Sequence, residues 1–395
     1  SCTRLRCAQL AVPPWASGMA YCFVQWDNEG GDVLRRVLHE RFGLQHWQSK
    51  PRAADAAPAS AADDAAVLSQ LKFAWLSNSR LLARLWPAYE ALAAAGSTLL
   101  VSRLAEEQRL GNKARLWHLA GPSGWLPPVL TEADAGDSDR MLIVKPLGKA
   151  CGRGIEVQKG GSVAAGSAKA EQNFLVQAYI ERPLLLFRKY KFDVRIYVLI
   201  CVHAGADGSP VHAVYFHEGY IRRCAKRYAP PGTTAGEFAS AFAHLSNWNM
   251  GKKFDGYDAA SDSIDGVPIR LPLNVLGRAR AAAMRVKMQL AVRETARRYA
   301  AAASPAGGDS GDRVGQFGLF GVDFLFDEAL SCWMLEWNAG PGVRWNVLFL
   351  RKLHTRMLED VAWLTIAPER FRKERPCSKW LEVYRTTNRD QTRGA

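Results

Sequence analysis

The sequence predicts a mixed fold of the α+β or α/β class, and three observations carry that prediction. Residues 191–200 (KFDVRIYVLI) alternate apolar and charged side chains, the period-two pattern of a strand. Residues 317–342 (FGLFGVDFLFDEALSCWMLEWNAGPG) read as two strands joined by a tight turn, and aromatic and β-branched residues dominate both. Leu276 to Ala300 reads as one long basic helix, with Leu276, Ala283, Val286, Leu290 and Thr295 as its buried stripe. With 48% hydrophobic and 23% charged residues the chain is globular, and 395 residues are enough for two or three domains.

The elements follow in order. Tyr21 to Gln25 (YCFVQ) reads as a first strand, and Asp32 to Phe42 as a helix with Val33, Leu34, Val37 and Leu38 on its apolar side. Residues 51–66 are Ala-, Asp- and Pro-rich, a low-complexity loop insertion. Leu68 to Gly96 is expected to be helical with an interruption at Pro87. Leu110 to Ala120 is a short helix carrying Lys113 and Arg115, ended by the break GPSGWLPP at 121–128 and followed by an acidic loop at 131–139.

After residue 140 the texture changes to short strands and glycine loops. Met141 to Val144 runs into Lys145 and Pro146 and then into GKACGRG (148–154), and Ile155 to Gln158 returns. A loop of that kind presents backbone N–H groups, and Gly152 and Gly154 let a phosphate approach closely. Phe174 to Ile180 is a strand ending in a hinge, with Pro183 keeping the next residues irregular. In the strand 191–200, Phe192, Val194, Ile196, Val198 and Ile200 face one way and Lys191, Asp193 and Arg195 the other, a charged row that fits a cleft wall. Val211 to Phe216 and Gly219 to Arg222 continue the sheet, and Ala243 to Asn249 is a polar loop followed by a basic GKKF. Residues 301–312 are a Gly/Ala/Ser loop, Val347 to Leu364 is a closing helix, and the basic remainder from Pro368 is expected to be irregular.

The hairpin at 317–342 concentrates the chemistry. Alternation puts Val322, Phe324, Phe326, Trp333, Leu335 and Trp337 on an apolar side and Asp323, Asp327, Glu336 and Asn338 on a polar one. Centred on Ala329 and Leu330, the hairpin sets Asp323 opposite Glu336, with Cβ atoms about 5 Å apart. Two unit charges there repel by about 3 kcal/mol at an effective dielectric near 20. A cation between them removes that cost. Two carboxylates and an amide oxygen are hard ligands, suited to a magnesium ion that also holds phosphates.

The formal net charge is +14, which implies an acidic partner. The basic residues do not interleave with a nucleic-acid motif, and no apolar run approaches the ~20 residues of a membrane helix, so neither nucleic acid nor membrane is expected. The eight cysteines form no CxxC and fit reduced intracellular thiols. Arg4 and Arg6 with no acid before Asp27 fit a transit peptide, or a processed or truncated start.

The order of parts is a lysine strand, a glycine loop, a hinge strand, a K-x-D-x-R strand, an arginine hairpin and an acidic hairpin ending E-x-N. It resembles the ATP-grasp ligases, and among them the tubulin–tyrosine ligase-like family. The resemblance rests on IVKP and GRGI within 143–155, VQAYIERPLLL (176–186), KFDVRIYVL (191–199), EGYIRR (218–223), HLSN (244–247) and LFGVDFLFDEALSCWMLEWNAGP (319–341). It is strong over residues 141–350, and YCFVQWDNEGGDVLRRVL resembles the family's small N-terminal domain only faintly. The resemblance implies an ATP-grasp fold with ATP in a cleft between central and C-terminal domains. The division it implies is 18–100, 101–187, 188–368 and a basic tail 369–395. Carried over by position, Lys145 and Lys191 hold ATP phosphates beneath Gly152 and Gly154, and Gln177, Tyr179 and Ile180 frame the adenine. Asp193 binds ribose or orders the cleft, and Ser246 and Asn247 line the nucleotide or amino-acid pocket. Asp323, Glu336 and Asn338 ligate Mg2+, and Arg195 and Arg222 are the catalytic cations facing the reacting carboxylate and acyl-phosphate.

The resemblance also implies tubulin, through its acidic C-terminal tail, and a free amino acid as partners. It implies a cytoplasmic place on microtubules, a cilium or a basal body. Tyrosine or glutamate is the expected addition, by a compact ligase rather than a long glutamylase. One position departs from the family. Lys or Arg commonly precedes the Gly-x-Gly of the phosphate loop, and here Cys151 stands there, with Lys149 and Arg153 as substitutes. The alternatives left open are a ligase acting on another acidic protein or small acid, and a catalytically weakened microtubule-binding relative.

Overall fold

A computed structural model describes residues 21–25, 29–46, 66, 68–76, 79–95, 97–121, 123–130, 140–149, 152–160, 174–205, 209–230, 241–303, 315–343 and 347–386. The expected loop at 131–139, residues 304–312 of the loop expected at 301–312 (301–303 end a helix), most of the insertion at 51–66, the first twenty residues and Cys151 lie outside the described residues.

The molecule is built on one long strand. β9 (Tyr190–Ala204) is central, not an edge, because β10 (Pro210–Arg223) and β15 (Gln316–Phe326) pair antiparallel on its two sides. β16 (Cys332–Ala339) pairs with β15. Beyond β15 the sheet continues through β4 (Leu100–Val101), β3 (Leu71–Leu76), β1 (Tyr21–Gln25) and β2 (Gln45–His46), all parallel. A second sheet, ordered β6-β5-β7, stands apart with β5 (Met141–Pro146) between β6 (Glu156–Lys159) and β7 (Phe174–Ala178).

The alternation in β9 sorts its two faces as expected. Phe192, Val194, Ile196, Val198 and Ile200 enter one core, against the helix α1 (Arg278–Ala303). Tyr197, Leu199 and Cys201 enter another, against α2 (Leu348–Ile366) and α3 (Glu29–Phe42). Each such side chain, fully buried, contributes about 1.5–3 kcal/mol. Lys191, Asp193 and Arg195 share that second face, at the end of the strand that borders the cleft.

Four expectations need correction. Leu68 to Gly96 is not all helix: residues 71–76 form β3, and a helix (Ser79–Ala94) with Pro87 inside follows. LKFAWL buries both faces, Phe73 and Trp75 toward Phe317 and Leu71 and Ala74 toward a smaller core. A strand apolar on both faces shows no alternation, so its period is hidden. In α1 the buried stripe is Ala281, Met284, Met288, Ala291, Val292, Thr295, Ala296 and Tyr299, whereas Val286 and Leu290 are 55% and 48% exposed. Two stripes of similar polarity run along this helix, and the Met/Ala stripe lies closer to the sheet because alanine lets the backbone approach. The basic remainder is ordered: a helix (Pro368–Glu374) leads to β17 (Leu381–Arg385), which pairs with β10, and Trp380 is 1% exposed.

The fourth correction concerns the hairpin. Asp323 does face Glu336, but a bulge follows, so that Phe324 pairs with Met334 and Leu325 with Trp333. The extra residue reverses the pleat. Met334 and Cys332 therefore join the core, while Trp333 and Leu335 leave it; Trp333 donates to Asp327 and Leu335 turns into the cleft. Trp337 stays in the core as expected.

Candidate active site

The second sheet, the open end of β9, the β15–β16 hairpin and the segment 244–247 enclose one cleft. The strands dictate what lines it. From β5 comes Lys145, whose ammonium donates to Gln177 Oε1 at 2.8 Å, and Gln177 Nε2 donates in turn to the Pro127 carbonyl at 3.0 Å. From β9 comes Lys191, which donates to the Tyr179 hydroxyl at 2.8 Å. That hydroxyl accepts from a lysine, so its own proton goes to His244 Nδ1, 2.8 Å away. Ile143, Ile155, Ile180, Leu245, Leu325 and Leu335 form the apolar part of the cleft. The bulge in β16 is what puts Leu335 there, which the sequence alternation missed, whereas Leu325 shares the Asp323 side of β15.

The two lysines are held as poorly compensated cations. Burial pushes the Lys145 ammonium down to about 8, with Glu336 pulling the other way and Lys113 adding to the depression. Burial likewise brings Lys191 down to about 8. An anion entering the cleft would relieve both. Burial also pushes the His244 imidazole down to about 4, consistent with a neutral ring that accepts the Tyr179 proton.

At the cleft floor four charges interlock. Arg222 donates from Nε and Nη2 to the two oxygens of Asp193, both at 2.6 Å, and its Nη2 lies 2.8 Å from Asp323 Oδ2. Arg195 grips Asp323 through Nε and, at 3.0 Å, through Nη2. Ser246 donates to Asp193. Burial opposes the Asp323 charge, but Arg195 and Arg222 outweigh it and hold this carboxyl below its usual value. Such bidentate pairs fix geometry as well as charge. Asn338 Nδ2 donates to Glu336 Oε1 at 3.1 Å and lies 3.5 Å from Asp323 Oδ2, so the three residues of the expected metal set converge.

Not every expected residue reaches the cleft surface. Lys145, Gly152, Tyr179, Ile180, Lys191, Asp193, Arg222, Ser246, Asn247, Asp323 and Glu336 line it. Gly154, Gln177, Arg195 and Asn338 stand behind that lining, Arg195 turned to Asp323 and Gln177 to Lys145. Gly152 has φ +74°, and a Cβ there would come within 2.9 Å of Asn247 Oδ1, so the glycine loop rests directly on the 244–247 segment. Lys149, expected as a substitute for the missing loop cation, also lines the cleft, as do Lys113 and His244, to which the sequence assigned no place in the site. Lys113 opens a helix (Lys113–Ala120) whose first turn is capped by Asn112 Oδ1, accepting from the amides of Ala114 and Arg115. Its Nζ reaches the Lys149 carbonyl at 3.2 Å and stands 4.0 Å from Glu336. Asn-Lys at a helix start is a visible cap signal, but only folding brings it to Glu336.

Two features test whether Mg2+ and ATP fit these residues. Among the described residues no three His, Cys, Asp or Glu side chains are grouped to hold a metal unaided. Glu336 offers a carboxylate, Asp323 a second one that Arg195 and Arg222 already hold, and Asn338 an amide that now turns Nδ2 to both and must rotate to present its oxygen; magnesium completes such a partial set with water and phosphate oxygens. The buried lysine pair opposite supplies the charge those phosphates need, and the apolar slot suits a flat ring.

The family model described as "Tubulin-tyrosine ligase family" matches residues 127–374, which include every one of these site residues except Lys113. The chain belongs to the tubulin-tyrosine ligase family. Members of this family are ligases, and the mixed α and β architecture agrees with its ATP-grasp-like fold. Among curated relatives, "Tubulin glycylase 3D" of Tetrahymena thermophila is 28% identical over 240 residues, 58% of this chain and 21% of that protein. "Tubulin polyglutamylase TTLL5" of Homo sapiens is 27% identical over 227 residues, 55% and 17% of the two chains. "Tubulin polyglutamylase TTLL7" of Homo sapiens is 27% identical over 212 residues, 51% and 22%. The chain spans about a fifth of the length of these relatives. Among its described residues, no helix is long and apolar enough to cross a membrane.

Proposed function

We propose that this chain is an ATP-dependent carboxylate–amine ligase that adds an amino acid, tyrosine or glutamate, to tubulin. The observation that carries the reading is the buried pair Lys145 and Lys191 facing Asp323, Glu336 and Asn338 across one cleft. The relatives' names, glycylase and polyglutamylase, support an amino acid as the group added. The net charge of +14 suits an acidic protein substrate such as a tubulin tail. The reading places the protein in the cytoplasm, on microtubules.

Bound in the cleft, MgATP supplies the phosphoryl group that converts the acceptor carboxylate to an acyl-phosphate, from which the incoming amine displaces phosphate as the C–N bond forms. Lys145 and Lys191 neutralise the phosphates as charge moves between them. Glu336 and Asn338, with Asp323, hold the metal. Arg222 lies at the floor with part of its guanidinium committed to Asp193 and Asp323, so it meets a substrate carboxylate in a fixed orientation. Arg195 acts one step back, by fixing Asp323. The Ile143/Ile155/Leu335 side of the cleft takes the adenine, with Tyr179 and Ile180 at its edge and Gln177 behind them holding Lys145.

Incubation with tubulin, ATP and labelled tyrosine, glutamate or glycine tests this directly. Incorporation that requires ATP and falls at least about a hundredfold in Glu336→Gln is expected. No incorporation of any of the three would overturn the tubulin reading, and incorporation that survives Glu336→Gln would overturn the metal assignment.

A further inference from the structure

A second cavity, of about 550 Å³, shares no lining residue with the cleft. It lies between the bulged part of β10 at His217–Gly219, one side of α2 and the turn at 375–379. Its volume is that of a ligand site, for which about 300–1,000 Å³ is usual. Phe349, Leu353, Pro272 and Pro376 supply apolar wall.

The charges around it are unequal in their state. Four acids line the cavity, and each is already neutralised. Glu218 pairs with Arg285, and Glu374 with Arg370 at 3.1 Å. Glu359 pairs with Arg375 at 3.0 Å and with Arg36, and Asp360 with Arg375 and Ser378. Three cations remain. Lys352, Arg356 and Lys379 line the cavity, are exposed, and make no ion pair with any described residue. The site is therefore cationic in effect although its residue count is balanced.

The spacing of the cations selects the shape of an anion. Lys352 and Arg356 stand one turn apart on α2, about 6 Å. Alternate side chains of an extended peptide are about 7 Å apart on one side. Acidic residues at alternate positions thus meet Lys352 and Arg356 together, with Lys379 on the facing turn. The cavity also adjoins the cleft through one strand: Gly219 is in its wall and Arg222 is on the cleft floor, three residues or about 10 Å along β10.

We infer that this cavity is a second binding site for an extended acidic peptide, which it holds a few residues from the point of reaction in the cleft. The identity of that peptide as the ligation acceptor rests on the function proposed above; the binding itself does not.

The test is fluorescence anisotropy of a labelled glutamate-rich decapeptide with the full chain, alongside a fluorescent ATP analogue as a probe of the cleft and of folding. Lys352→Glu/Arg356→Glu is expected to weaken peptide binding at least about tenfold and to leave the ATP analogue bound as before. Wild-type peptide affinity should fall steeply between 50 and 300 mM salt, as screening at about 10 Å predicts. If the double variant loses the ATP analogue as well, Lys379→Gln and Lys352→Gln replace it, each expected to weaken the peptide about threefold. Peptide binding unchanged in these variants overturns the site. Charge-sensitive peptide binding without amino-acid incorporation leaves this site standing and sinks the ligase. Incorporation whose KM for the acidic acceptor is unchanged in the double variant does the reverse.

Discussion

Burial sets the charge of Lys145 and Lys191 before any ligand arrives. Each ammonium is brought to about 8, so a rise in pH from 8 to 10 strips the protons that would hold phosphate. The dissociation constant for ATP is therefore expected to be flat below pH 8 and to climb by at least tenfold towards pH 10, read by titration of a fluorescent nucleotide. A flat profile to pH 10 would remove both lysines from the phosphate site. Stability of the ligand-free chain runs the other way. Unfolded lysines keep their protons to about pH 10.4. The unfolded state thus binds more protons between about 8 and 10.4, and stability rises with pH across that window. The row Lys191, Asp193, Arg195 was readable as a charged face on one strand. Which partner each charge takes was not, because Asp323 comes from a strand far away in the chain and Arg222 lies beyond a slip in the pairing of β10 with β9.

Among the elements, β10 is tightly constrained at one glycine. Its pairing with β9 slips between His217 and Tyr220, and Gly219 sits in the slip. A Cβ at Gly219 would fall 1.8 Å from the Arg195 carbonyl oxygen, a backbone atom that cannot swing aside. Gly219→Ala is expected to cost at least about 3 kcal/mol, measured by urea unfolding. A cost below about 1 kcal/mol would mean that the bulge relaxes freely. From the sequence this region read as two short strands, because the slip interrupts the alternation; in the fold it is one strand of fourteen residues. The bulge in β16 has the same origin and a larger consequence. It leaves the Asp323–Glu336 register intact while moving Leu335 from the core to the cleft.

For the whole molecule, the last described strand completes the sheet. β17 covers β10, and Trp380 just before it packs on His217 with ring centroids 5.0 Å apart. Trp380 Nε1 donates to the Met357 carbonyl at 3.4 Å, tying the segment to α2. Trp380→Ala is expected to cost about 3–5 kcal/mol in chemical denaturation. A loss within about 0.5 kcal/mol would mean that this segment is not part of the core. The positive residues that made the region look irregular lie on its outside, and composition alone does not reveal a covered strand. The segment also forms one side of the second cavity, through Arg375 to Lys379.

Local pattern by itself determined the strand at β9, the hairpin register that opposes Asp323 to Glu336, the glycine loop and the mixed α and β class. Each of these depends on side-chain period or turn chemistry within a few residues. Tertiary structure alone decided which stripe of the long helix is buried, that 71–76 is a strand, and that Leu335 faces the cleft. It also decided that Lys113, Lys145, Lys191 and Glu336 share one space. These follow from packing between segments as much as two hundred residues apart and more, where burial outweighs the small differences in local preference that a sequence displays.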